Sequence, residues 1–212
     1  MPIEKISKDR NQANLPRDLE KYRRLALELG ADDARVVEVS EIPVEDAIAF
    51  KCRVPRCYGY GFCAQCPPHA PKPAEIRQLL KGYGQALLFR RKVGSELLKR
   101  PREDKERKAA FRSILEIVGR LESAAFYDGH YLAVGFSAGS CFSSICDPTL
   151  GCSVLKGEKC RFPLKARPSM EAVGIDVYRM IAESDWEIYP YGGDADPGEI
   201  PVANLVGLVL IQ

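Results

Sequence analysis

The sequence predicts an α/β fold, a mixed sheet with flanking helices, and three features carry that reading. Several segments repeat apolar residues at three- and four-residue spacing. Short runs rich in β-branched, aliphatic and aromatic residues lie between them. Two glycine- and proline-rich stretches, each holding four cysteines, interrupt the periodic elements. Alternation of helix and strand argues for layers, and the shortness of some connections favours a mixed sheet over a purely parallel one. At 212 residues the chain fits one domain spanning 1–212.

In chain order, the first helix is predicted over 16–29, where Leu19, Tyr22, Ala26 and Leu29 share a face and Gly30 supplies a stop. A strand follows at 35–39 (RVVEV). Pro73 opens a short helix carrying Ile76, Leu79 and Leu80, since proline is tolerated where no amide donor is needed. The next strand is 85–91 (QALLFRR). The longest helix spans about 103–126, with Phe111, Ile114, Leu115, Val118, Leu121 and Ala125 on one face. A strand at 131–136 (YLAVGF) leads to the second cysteine stretch. Beyond it, Met170, Val173, Val177, Met180 and Ile181 predict a helix from Ser169, its N-cap, to Ala182. Strands are expected at 186–189 (WEIY) and 203–211. Each cysteine stretch is thus followed by a proline-led helix and then a strand, a loop-helix-strand module used twice.

Composition bounds the function. With 46% hydrophobic and 28% charged residues the chain is globular, not disordered, and no apolar run reaches the roughly 18 residues of a membrane span. The opening MPIEKISKDRNQANLPRDLE has no apolar centre and no small-residue cleavage site, so a cytoplasmic location is expected. A net charge of +2 gives no field that would recruit nucleic acid or a membrane. The most basic run, KRPREDKERK at 99–108, is broken by acids and reads as a solvated helix entrance.

The cysteines carry the chemistry. All eight fall in two sets, Cys52, Cys57, Cys63, Cys66 and Cys141, Cys146, Cys152, Cys160, spaced C-x4-C-x5-C-x2-C and C-x4-C-x5-C-x7-C. The first two intervals agree, which points to a common template. In a reducing compartment such grouping implies metal or redox chemistry before structural disulfides. Four thiolates match a cubane iron-sulfur cluster, one for each iron, and each loop carries glycines that let it curl around such a cube. Tyr58, Tyr60 and Phe62 are aromatics suited to excluding water. Zinc is the main alternative. Its closed tetrahedral sites favour two short C-x2-4-C knuckles far apart in sequence, and only Cys63 and Cys66 form one. The simplest assignment is four ligands per cluster. In two-cluster ferredoxins the fourth cysteine of one run ligates the other cluster, and exchange of Cys66 with Cys160 would keep the same eight ligands.

Other residues weigh less. His69 is a spare ligand beside four thiols, and His130 reads as a strand-edge residue. Tyr58 and Tyr60 read as packing groups before relays, and Arg167 as either an anion contact or a surface salt bridge. The glycines of GYG at 82–84 and GGDADPG at 192–198 form no nucleotide fingerprint, and Asp194 and Asp196 read as turn residues. No catalytic triad can be assembled.

On CRVPRCYGYGFCAQCPPHAP at 52–71 and CFSSICDPTLGCSVLKGEKCRFPLKARPSMEAVGID at 141–176, the sequence resembles an uncharacterised family of predicted metal-binding proteins with two four-cysteine motifs, found largely in anaerobic bacteria and archaea. The resemblance covers most of the chain and implies metal binding by the eight cysteines, without a reaction. The functional expectation is therefore a protein with two 4Fe-4S clusters that passes electrons to or from a redox partner protein. The alternatives are a redox enzyme with one substrate-accessible cluster, for which the irregular C-x7-C interval marks the second group, or a zinc-stapled binding module.

Overall fold

The computed structural model describes residues 3–9, 11–192 and 194–212. Gly193, within the expected 192–198 turn, and Met1, Pro2 and Arg10 of the N-terminal stretch lie outside the described residues. Helices α1 (Leu15–Glu28), α2 (Asp46–Phe50), α3 (Pro73–Leu80), α4 (Ser95–Lys99), α5 (Lys105–Tyr127), α6 (Cys141–Ser144) and α7 (Val177–Glu183) surround strands β1 (Asp33–Glu38), β2 (Gln85–Val93), β3 (Val134–Phe136) and β4 (Ala203–Ile211). The α/β class holds. Within the sheet, ordered β1-β2-β4-β3, all three pairings are antiparallel, so strand direction is not mixed.

The central pair sets the architecture. β2 and β4 run against each other from Gln85 opposite Ile211 to Val93 opposite Ala203. Successive side chains of a strand point to opposite faces, and here each face has its own helix layer. Leu87 and Phe89 pack with Leu19, Tyr22 and Ala26 of α1 and with Ile114, Val118 and Leu121 of α5. Ala86 and Leu88 pack on the other face with Ile76 and Leu80 of α3 and Val177, Met180 and Ile181 of α7. Covered on both faces, β2 and β4 read as apolar runs without alternation. Each fully buried aliphatic side chain in these layers contributes about 1.5–3 kcal/mol.

The chain makes two passes of the same order: α1, β1, cysteine segment, α3, β2; then α5, β3, cysteine segment, α7, β4. The first helix of each pass lies on one face of the sheet and the second on the other. The predicted loop-helix-strand order matches the latter part of each pass, although α7 opens from its Asp176 cap and not on a proline, and one strand is displaced. Residues 186–189 are not a strand, and the second pass closes on β4. Trp186 turns into the core and lies under the Arg35 and Arg90 guanidinium groups, while the Asn204 side chain donates to the Glu187 carbonyl. A side chain, not a neighbouring strand, takes up that backbone acceptor.

Two further boundaries differ from expectation. The helix predicted over 169–182 breaks at Gly174, whose φ of +92 is left-handed and where a Cβ would meet Pro73 Cγ at 2.7 Å and the Glu45 carbonyl at 3.1 Å. Ser169 Oγ accepts from Ala172 N but is not an N-cap, since the 3-10 turn Glu171–Val173 has Met170 at that position, and Asp176 caps α7 by accepting from Arg179 N. β3 is shorter than 131–136, because Tyr131 and Leu132 lie in a turn. Among the described residues no helix is long and apolar enough to cross a membrane.

Candidate metal centre

Leu115 on α5 faces away from the sheet cluster. It packs instead with Cys63, Cys66, Cys141, Phe142 and Ala166, and Cys152 and Cys160 lie against this group. The fold therefore brings the two cysteine segments together over one helix.

The first segment is a chain of self-bonded turns. Cys57 N donates to the Cys52 carbonyl at 2.9 Å, Tyr60 N to Cys57 at 3.0 Å and Cys66 N to Cys63 at 3.1 Å, and Gly61 N crosses the loop to Pro67 at 2.8 Å. Gly59 admits the close approach of its neighbours: a Cβ there would meet Cys66 Sγ at 3.2 Å and Ser140 Cβ at 3.8 Å. The second segment begins as a helical turn, α6, capped by the Ser140 hydroxyl, which accepts from Phe142 N at 3.3 Å. Ile145 N and Cys146 N both donate to the Cys141 carbonyl. Farther on, Asp147 accepts from Thr149 N, Ser153 donates to the Lys159 carbonyl, and Cys160 Sγ accepts from Phe162 N at 3.4 Å. Phe62 stacks on Phe142, with ring centroids 6.1 Å apart, and closes the seam between segments.

The buried thiols of the two motifs pack together. Donation from Cys141 and Cys66 holds Cys63 far below the ordinary thiol range. The same hydrogen bonds, followed by burial, raise Cys66 and Cys141. Ser140 Oγ lies 3.3 Å from Cys66 Sγ and 3.7 Å from Cys63 Sγ. Burial also raises Cys146, reinforced by Cys160 and Cys152, and pushes Cys52 up to about 11 with help from Cys57. All eight thiols are free of disulfides. Cys63, Cys66 and Cys141 are buried, Cys52, Cys146, Cys152 and Cys160 half-buried, and Cys57 exposed.

Free thiols in apolar surroundings suit a thiophilic metal. As they stand they are not a finished ligand polyhedron: among the described residues no three cysteine, histidine or carboxylate side chains converge on one point where an ion could sit. A cleft of ≈ 400 Å³ opens beside the first segment, with Cys52, Cys57 and Cys66 in its wall.

The remaining candidates sort clearly. His69 is exposed and joins no ligand group. His130 is buried and tied to Asp18 and to the Gln212 carbonyl, a bond between helix α1 and the chain end. Arg167 forms a two-pronged ion pair with Glu122 at 2.7 and 2.9 Å. Tyr58 and Tyr60 lie under Arg102 and Arg56. Asp196 caps a 3-10 turn by accepting from Gly198 N. The basic run at 99–108 does more than solvate a helix entrance, since Arg102, Arg107 and Lys108 line the cleft. Asn204 of β4 and Glu171 also line it; no local pattern links these residues, which meet only through the return path of the chain.

A family model described as predicted metal-binding protein (DUF2284) matches residues 35–211, a span that contains every cysteine. No curated protein and no solved structure matches the chain.

Proposed function

As a member of the family of predicted metal-binding proteins (DUF2284), to which this chain belongs, we propose that the protein holds two 4Fe-4S clusters and transfers electrons to or from a partner protein in the cytoplasm. The observation that carries this reading is the cysteine array. Two segments with the same leading C-x4-C-x5-C intervals meet over Leu115, where Cys63 and Cys66 pack with Cys141 and lie against the Ser140 hydroxyl. The proposed ligands are Cys52, Cys57, Cys63 and Cys66 from the first segment and Cys141, Cys146, Cys152 and Cys160 from the second. A 4Fe-4S cluster supplies one-electron transfer. The chain contributes thiolates, an apolar wall from Leu115, Phe62 and Phe142, and a hydroxyl donor from Ser140 within reach of sulfur.

The cleft favours a second reading, a redox enzyme in which one centre faces a substrate, because three thiols of the first segment line an open cavity. That observation moves the substrate-facing role from the second cysteine group to the first.

Anaerobic purification with iron, sulfide and zinc analysis and EPR tests the proposal. The expected result is about eight iron atoms and about eight labile sulfides per chain, with a reducible EPR signal. A colourless protein with stoichiometric zinc and no labile sulfide would refute both redox readings and leave a zinc-stapled module.

A further inference from the structure

Among the described residues, five buried side-chain polar atoms complete no hydrogen bond, and three of them, Tyr58 Oη, Arg107 Nε and Asn204 Oδ1, belong to residues that line the cleft beside the thiols. The other two are on Arg90 and Trp186, which face each other in a cation-π contact at 4.6 Å. A buried polar group without a partner is unfavourable, and three of the five belong to residues grouped around this one cavity. Their polarity is defined. Tyr58 has Ser143 as its polar neighbour without completing a bond to it. Asn204 Nδ2 donates to the Glu187 carbonyl at 2.8 Å, which fixes the amide so that Oδ1 is left as an acceptor. Arg107 Nε is a donor.

The charge in the cleft has one dominant sign. Arg102, Arg107 and Lys108 line it, and none of the three forms an ion pair among the described residues. Glu103 acts on Arg107, and Asp147 feels Lys108, only from beyond ion-pair distance. Burial, then the neighbouring Arg102, lowers the Arg107 pKa, the condition of a cation that lacks a counter-ion. The acidic residue of the lining is Glu171, whose carboxyl is raised by burial above its ordinary value. Most of the remaining wall is apolar, with Leu98, Phe111, Val177 and Leu205. A cavity of ≈ 400 Å³ with a few converging polar groups matches a small-molecule site.

We infer that this cleft binds a small organic acid, its carboxylate held by Arg107 and Tyr58, its apolar body against Phe111 and Leu205, and a hydroxyl or amino group donating to Asn204 Oδ1. The inference deepens the substrate-facing reading above and rests on it for the ligand's role. A competing role for the cations, offsetting the charge of a nearby cluster, predicts no preference among acids.

Calorimetric titration of the anaerobically purified protein, with iron and sulfide assayed on the same sample, tests it. The probes are 3-phenyllactate, its neutral amide, and 3-phenylpropionate, which lacks the hydroxyl. We expect phenyllactate to bind at least about tenfold more tightly than its amide and severalfold more tightly than phenylpropionate. Arg107→Met should weaken both acids about tenfold, and Asn204→Leu should erase the preference for phenyllactate over phenylpropionate. Arg102→Met, at an exposed position, provides a second charge variant if Arg107→Met fails to fold by circular dichroism. Absence of acid binding up to about 10 mM, equal binding of acid and amide, or acid binding unchanged in the arginine variants would overturn the inference. Full iron content without acid binding refutes this site and leaves the clusters standing; acid binding without iron does the reverse.

Discussion

The Ser140 hydroxyl lies 3.3 Å from the Cys66 sulfur, joining residues 74 positions apart in sequence. One side chain thus caps the helical turn that presents Cys141 and contacts the last thiol of the other motif. Ser140→Ala removes the cap and the sulfur contact together. It should cost about 1 kcal/mol in chemical denaturation and speed metal loss to a chelator. Unchanged metal retention would separate Ser140 from the centre.

Cys63 and Cys141 belong to different motifs yet pack in one buried cluster. Cys63→Ser and Cys141→Ser should therefore each disturb spectroscopic signals of both clusters, whereas ligands of isolated centres would affect one signal each. Iron and sulfide analysis with EPR of the two variants checks this. Unchanged iron in Cys52→Ser, Cys57→Ser, Cys63→Ser and Cys66→Ser alike would refute the first group as ligands.

The metal-free, reduced protein should weaken at high pH through Cys52. Its folded pKa is pushed up to about 11 by burial and then by Cys57, from an ordinary thiol value near 9. Folding favours the neutral thiol, so this contribution is full below about pH 9 and is lost as pH rises through about 11. Half-burial and solvent screening limit it to about 1 kcal/mol. Thermal melts at pH 8 and pH 11 should show a smaller alkaline loss for Cys52→Ser than for the parent.

His130 should prove structural. Its ring is fully enclosed and bonds Asp18 at 3.1 Å and the Gln212 carbonyl at 2.8 Å, while Tyr22 and Lys21 from the same helix hold Asp128. His130→Ala leaves Asp18 buried without that partner and should cost roughly 3 kcal/mol in denaturant melts. Iron content per folded protein should stay at the parent level. Loss of iron in a fully folded variant would return His130 to the metal centre.

Much of the fold was legible locally. The faces of α1 and α5 follow from side-chain periodicity, which reports neighbours three to four residues away, the start of α3 from its proline, and strands β1, β2 and β4 from short runs of β-branched and aliphatic residues. The same signal misread 169–182, where Met170 and Val173 keep helical spacing across the left-handed Gly174, and 186–189, where Trp186 belongs to the core but the backbone has no strand partner.

By itself, the sequence determined the α/β class, the positions of most elements and the two matched cysteine sets, because local periodicity and thiol spacing are written along the chain. Only the tertiary structure decided that every strand pairing is antiparallel, that Cys63 and Cys66 meet Cys141 over Leu115, and that Arg107 and Asn204 share a cleft with the thiols. Those relationships depend on where the chain returns after tens of residues, which is settled by burying both faces of the β2-β4 pair and has no short-range signature.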